Sequence, residues 1–405
     1  MTLSHAIGIR HSAFSISKPK PIPPMNPKTP PLGWNTWNTF GEKINERLIL
    51  ESVDKFVELG LKDAGYEYVV IDDCWSMRER DPKTDEIVPD PVKFPRGMKF
   101  VADYVHRRGL KFGMYSCAGT RTCADYPGSY GHEFLDARTF ARWGVDFLKY
   151  DYCDMPFGGQ AEFYYRRMGQ ALRLSGRDIL FSACNWGSED VWRWIRTTGA
   201  GMYRSTGDIF DAFGSTKEIA VSQLPKFDTS APGCFNDMDM LTVGMYRQGN
   251  VAHADTDTQT FEEYRTQFAL WCVYGAPLML GCDIRKMDRD VLALVTNKEL
   301  LRIDQDALAL QPYAAEEGWP ERKAPRVVAR LLDGRDLALL FVNLEDQEIS
   351  GRFHLERVGL PYQSGMKLKM RDVFSRKVSY SGRDTVPYRI PPHACRVYRC
   401  TPVEA

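Results

Sequence analysis

The chain has 405 residues, room for one large domain and a smaller one, with 43% hydrophobic and 26% charged residues, ordinary proportions for a globular protein. Lys plus Arg and Asp plus Glu are equal at 53 each, which removes the electrostatic reason to expect nucleic acid or an anionic membrane surface as a partner. Ten cysteines form no CxxC pair and seven histidines form no HExxH, so the spacings give no metal site, and most cysteines are expected as small buried residues.

Residues 1–27 lack the apolar core of a signal peptide, and the Pro-rich stretch 18–31 reads as a loose lead-in. No run reaches the roughly 18 apolar residues of a membrane helix, and no N-x-S/T sequon occurs. A cytoplasmic location without membrane attachment is the simplest expectation, and a homo-oligomer is compatible with it.

Eight short apolar segments follow: LGWNTW (32–37), YVVIDDCW (68–75), KFGMYSC (111–117), DFLKYDYC (146–153), DILFSACNW (178–186), MYRSTGD (202–208), PGCFNDMDML (232–241) and APLMLGCD (276–283). Helical patterns lie between them. After the N-cap candidate Asn45, residues Ile49, Val53, Phe56 and Val57 share one face. Gly109 and Gly144 close two further helices. Alternating strands and helices over residues 28–312 predict an α/β fold, a (β/α)8 TIM barrel; a doubly wound sheet fits the strand count less well. Beyond it, Asp333-Gly334 between two apolar runs signals a hairpin, and residues 320–405 predict a C-terminal antiparallel β-sandwich domain.

Barrel active sites lie at the C-terminal strand ends. Those ends supply Trp34 and Trp37; Asp72, Asp73 and Trp75; Tyr115; Lys149 and Asp151; Cys184, Asn185 and Trp186; Arg204 and Asp208; Asp237 and Asp239. Singly, each has a plain structural reading, an Asp as helix cap or a Trp as core. Together they are six carboxylates, two cations and several aromatics, with no histidine for an acyl-transfer triad. Sugars need this mixture, because charged groups bond hydroxyls and flat rings cover the apolar sugar face. Asp151, two residues from Lys149, suits an ionised nucleophile; Asp208 suits a protonated acid. Lys149 is expected to keep Asp151 charged.

PPLGWNTWNTFG, GYEYVVIDDCW, KFGMYSCAGTRTCADYPGS, WGVDFLKYDYC, YRSTGDI and FNDMDML resemble glycoside hydrolase family 27, over residues 29–312. That family holds α-galactosidases and α-N-acetylgalactosaminidases. The resemblance implies a retaining exo-glycosidase without cofactor, with Asp151 as nucleophile and Asp208, four residues after Arg204, as acid/base. It implies that Asp72, Asp73 and Lys149 hold the hydroxyls of a terminal α-D-galactosyl residue, with Trp37, Tyr115, Cys123, Arg204, Asp239 and Met240 as other wall positions. It matches Cys123 and Cys153 to a pair that is disulfide-bonded in secreted relatives; in a reducing compartment, thiols or a partly formed bridge are expected. Asn185 and Ser188 depart from the galactosidase pattern near the sugar 2-position and raise α-N-acetylgalactosaminidase as the alternative. Asp72 argues against a β-L-arabinopyranosidase. A catalytically silent sugar-binding barrel is the non-enzyme alternative. Short α-galactosides are the expected substrates.

Overall fold

The structure is a computed structural model that describes residues 27–251, 258–316 and 324–404. The expected N-terminal extension falls almost wholly outside these residues. Eight parallel strands form the first layer: β1 Leu32–Asn35, β2 Tyr68–Val70, β3 Lys111–Cys117, β4 Phe147–Asp151, β5 Leu180–Cys184, β6 Met202–Arg204, β7 Phe235–Asp237 and β8 Leu278–Leu280. Their order is β7-β6-β5-β4-β3-β2-β1-β8. A single parallel bridge, Leu241 to Leu280, joins the two ends and closes the barrel.

Helices α1 Trp37–Phe40, α2 Glu46–Glu58, α3 Gly97–Arg107, α4 Glu133–Trp143, α5 Ala161–Leu174, α6 Phe213–Gln223, α7 Phe261–Tyr274, α8 Arg289–Val295 and α9 Lys298–Asp304 follow in chain order. Asn45 caps α2 by accepting from Leu48 N at 2.9 Å. Ile49, Val53 and Phe56 are buried, but Val57 is exposed. The apolar stripe is therefore one residue narrower than its spacing suggests. Gly144 ends α4 in the left-handed conformation that a C-cap favours.

Strand alternation divides the core. In β4, Leu148 and Tyr150 pack outward against the helices, while Phe147 joins Tyr68, Val70, Leu180, Met202 and Met279 in a separate cluster that fills the barrel. Gly33 and Gly113 make room for these large rings: a Cβ would lie 2.8 Å from Tyr68 Cβ and 3.2 Å from Phe147 Cβ, respectively.

The C-terminal strands are β9 Tyr313–Ala314, β10 Val327–Leu331, β11 Leu337–Val342, β12 Ile349–His354, β13 Met366–Asp372, β14 Val378–Tyr380, β15 Thr385–Ile390 and β16 Cys395–Glu404. Six form a sheet in the order β14-β13-β16-β11-β10-β9, and β12 pairs with β15. The β10–β11 pairing is antiparallel with Leu331 opposite Leu337, and Gly334 lies in the turn.

One buried cation ties the two layers together. Arg330 of β10 is 1% exposed. Its guanidinium donates to the carbonyls of Leu310 at 2.8 Å, Ile303 at 3.0 Å and Cys272 at 3.3 Å. Two of these carbonyls belong to the last turns of α7 and α9, where the helix dipole favours a cation. Arg330→Met should remove this shared donor from all three carbonyls and lower unfolding stability by about 3 kcal/mol or more. Denaturant titration checks this; a midpoint equal to that of the parent chain would show that Arg330 is not a clamp.

Candidate active site

Register brings the chemistry together. Cα pairing runs from Cys117 to Asp151, to Cys184, to Arg204 and to Asp237 across five neighbouring strands. These residues form one tier at the C-terminal rim. Lys149 lies one tier below Asp151 and points inward with it, because both belong to the same strand face. The rim encloses a cavity of about 210 Å³, lined by Asp72, Asp73, Lys149, Asp151, Arg204, Asp208 and Asp239 together with Trp37, Tyr115, Cys123 and Met240. That is below the range typical of drug-sized ligands and suits one sugar ring.

Two cations organise the carboxylates. Arg204, 3% exposed, bonds Asp208 Oδ1 and Asp239 Oδ1, both at 2.9 Å. Asp239 is fixed further by accepting from Ile209 N and Met240 N, each at 2.7 Å. Lys149 Nζ bonds Asp72 Oδ2 at 2.9 Å, and Asn35 Nδ2 donates to the same oxygen at 2.7 Å. Asp73 accepts from Cys74 N at 2.6 Å and Ala124 N at 3.2 Å. Asp151 is left between the two clusters. It is 5% exposed, and its Oδ1 is buried with no hydrogen-bond partner among the described residues. Three non-glycine residues at the strand ends, Cys74, Trp186 and Asp239, have φ of 70°, 56° and 79°. Such left-handed backbone, at a cost of about 1–3 kcal/mol each, gathers where a site dictates geometry.

Asn185 and Ser188 do not line the cavity. Asn185 is fully buried, and its amide donates to the Ser188 carbonyl at 2.7 Å; Ser188 itself is exposed. The left-handed turn at Trp186 swings that indole into the wall instead. The sequence reading that placed Asn185 and Ser188 beside the sugar is corrected accordingly. Asn38, Ile209, Phe210, Asn250 and Val251 also line the cavity, and sequence reasoning missed them. Trp34 and Trp75 are core residues, with indole N–H groups donating to Cys282 O at 2.8 Å and Tyr115 O at 2.9 Å. Asp237 lies behind the wall and accepts from Asp239 N at 2.9 Å.

Cys123 and Cys153 are paired, with Cα atoms 5.2 Å apart, a separation that fits a disulfide. Their sulfurs and an Asp151 oxygen lie close together, but paired cysteines offer no thiolate to a metal. Tyr115 Oη donates towards Cys123 Sγ at 3.9 Å.

The electrostatics also differ from expectation. Burial pushes Asp151 up to about 6 despite Lys149. Lys149 shares the strand face of Asp151, but its hydrogen bond goes to Asp72. At Asp208 burial acts upward too, yet the Arg204 and Lys149 charges and the Arg204 hydrogen bond win, so its carboxyl is lowered. These directions favour the proton on Asp151 over Asp208, the reverse of the order read from the sequence. Asp237, buried behind Arg204, is also raised to about 6.

A raised carboxyl pKa means that ionisation opposes folding. The cost is absent below the unfolded value of 3.8, grows as pH rises towards 6 and is complete above it. Asp151→Asn should therefore be more stable than the parent at pH 7, by up to about 3 kcal/mol, with the gap closing near pH 4. Thermal unfolding at both pH values decides it; a variant less stable than the parent at pH 7 would refute the assigned cause.

The sequence profile described as alpha galactosidase A matches residues 29–306, and that of the alpha galactosidase C-terminal beta sandwich domain matches residues 323–400. The α-galactosidase of Cyamopsis tetragonoloba is 39% identical over 376 residues, covering 93% of this chain and 87% of that one. Alpha-galactosidase A of Cellvibrio japonicus is 41% identical over 339 residues, covering 80% and 78%. The crystal structure of α-galactosidase I from Mortierella vinacea superposes with a TM-score of 0.82 at 30% identity, covering 92% of this chain and 97% of that one. The matches span both layers of the molecule and agree with the barrel, its acidic rim and the β-sandwich behind it: the chain belongs to glycoside hydrolase family 27.

Proposed function

We propose that the chain is a retaining exo-α-galactosidase with Asp151 as nucleophile and Asp208 as acid/base. The observation that carries this is the unpartnered, buried Oδ1 of Asp151 in a cavity of one-ring size that also holds Asp208. A carboxylate oxygen without a hydrogen bond is the less stabilised and the more nucleophilic for it.

In the first step Asp151 attacks the anomeric carbon. The glycosidic C–O bond breaks, and the leaving oxygen takes the proton of Asp208. In the second, Asp208 removes a proton from water, the water oxygen attacks the same carbon, and Asp151 leaves as carboxylate. Arg204 keeps Asp239 as a partner in both steps, so Asp208 can gain and lose its proton without leaving a bare buried cation. Asp72, Asp73 and Lys149 provide the charged groups for the sugar hydroxyls, and Trp37 an apolar face. Asn185 and Ser188, the two residues that raised an N-acetyl sugar, are not among the residues that line this cavity.

The test is hydrolysis of three p-nitrophenyl glycosides across pH: α-D-galactoside, α-N-acetylgalactosaminide and β-L-arabinopyranoside. The galactoside should have the highest kcat/KM. Its profile should be bell-shaped, with the alkaline limb near pH 6, where the carboxyl pair loses its last proton and the productive form declines. A preference for either other glycoside, or a rate still rising above pH 7, would count against the assignment.

A further inference from the structure

A second hollow lies within the C-terminal layer and shares no lining residue with the one-ring cavity. Its volume, about 220 Å³, is nearly the same. It opens between β12 and the start of β10. Among the described residues β12 pairs with β15 alone, so its other edge is uncovered. The five consecutive residues Ser350 to His354 all line the hollow, which therefore follows that edge rather than one face of the strand. Gly351 shapes its floor. It stands opposite Tyr388 of β15, and a Cβ there would lie 2.6 Å from the Tyr388 hydroxyl oxygen. Without that Cβ the Tyr388 ring can cross the strand and join the buried Phe353 and Val327 as an apolar floor.

The charges around this floor are one-sided. Arg326, Arg352, His354 and Arg357 line the hollow against one acid, Glu316, among the described residues. The whole chain, by contrast, has equal numbers of acidic and basic residues. Glu316 is already engaged, because its carboxylate accepts from Arg326 N. Arg389, opposite Ser350 on β15, is neutralised by Glu348 at 2.6 Å. Arg326 and Arg352 have no such acidic partner among the described residues. We propose that this hollow binds a small organic anion of about one ring's size, held through a carboxylate or phosphate group by Arg326 and Arg352. The planar guanidinium fork matches either oxyanion with paired hydrogen bonds. Arg326 is half-buried and Arg352 exposed. One charge thus acts where water screens it less, and the other meets the anion first. Phe353 and Tyr388 give the body of the ligand an apolar contact.

The full chain is titrated calorimetrically at pH 7 and matched ionic strength with glucuronate, glucose 6-phosphate and glucose. The three share a sugar ring and differ in the group offered to the arginines. At least one of the two acids should bind about tenfold or more tightly than glucose. Which acid it is tells whether a carboxylate or a phosphate is held. Arg352→Ala, at an exposed position, should weaken that binding about tenfold through loss of a charge-assisted pair, and Arg326→Gln should weaken it as much. Hydrolysis of nitrophenyl galactoside should not change in Arg352→Ala, because Arg352 does not line the catalytic cavity. The proposal would be overturned if neither acid bound more tightly than glucose. It would equally be overturned if the acid bound both variants as tightly as the parent, since the ligand would then sit elsewhere.

Discussion

Arg204 is a permanent cation held almost entirely out of water, and the rim of the barrel is arranged around that constraint. A buried guanidinium is tolerable only with acidic partners and good geometry. It has Asp208 on one side and Asp239 on the other. Asp239 is rigid, because two backbone N–H groups hold its carboxylate and Trp271 Nε1 donates to its carbonyl at 2.8 Å. Lys149 is committed in the same way to Asp72. Each cation is thus held by a flanking carboxylate. Asp151, in the middle, feels both but is bonded by neither. It is the least satisfied acid of the pocket, and the proposed chemistry needs such an acid there.

That arrangement is expensive in stability. A charged Asp151 at neutral pH and three left-handed non-glycine residues all oppose folding. The compensation lies away from the site. The outer faces of the strands pack into one extensive core with the helices, the barrel interior has its own apolar filling, and Arg330 fastens the β-sandwich to two helix ends. Stability and function are thus separated in space, with the strain kept at the C-terminal rim.

The elements were legible where a local period reports them. KFGMYSC coincides with β3, and DFLKYDYC contracts only to Phe147–Asp151, because each is a short segment buried along nearly its whole length, as a parallel strand covered on both faces must be. The tier of Asp151 and Arg204 was also within reach, since both end their strands. What escaped depends on groups distant in sequence or on backbone turns without a composition signal. Asn185 follows Cys184 directly, yet the left-handed Trp186 redirects the chain, and the indole rather than the amide meets the cavity. Lys149 and Asp151 share a strand face, but the length of the lysine carries its ammonium to Asp72, 77 positions away. Asn250 and Val251 come from a segment outside the named strands and helices. Arg330 reads as one residue of an alternating strand, and nothing near it announces helix ends 27 and 58 positions away.

The central claim is that Asp151 is the atom source for the bond to sugar. The most direct measurement is mass spectrometry of the intact chain, then of its peptides, after incubation with a fluorinated galactosyl donor that slows the second step more than the first. The account predicts one added glycosyl mass, located on Asp151, and its loss on further incubation in water as activity returns. A label on Asp208, Asp72 or Asp73, or turnover of the donor with no labelled species at any time, would contradict it.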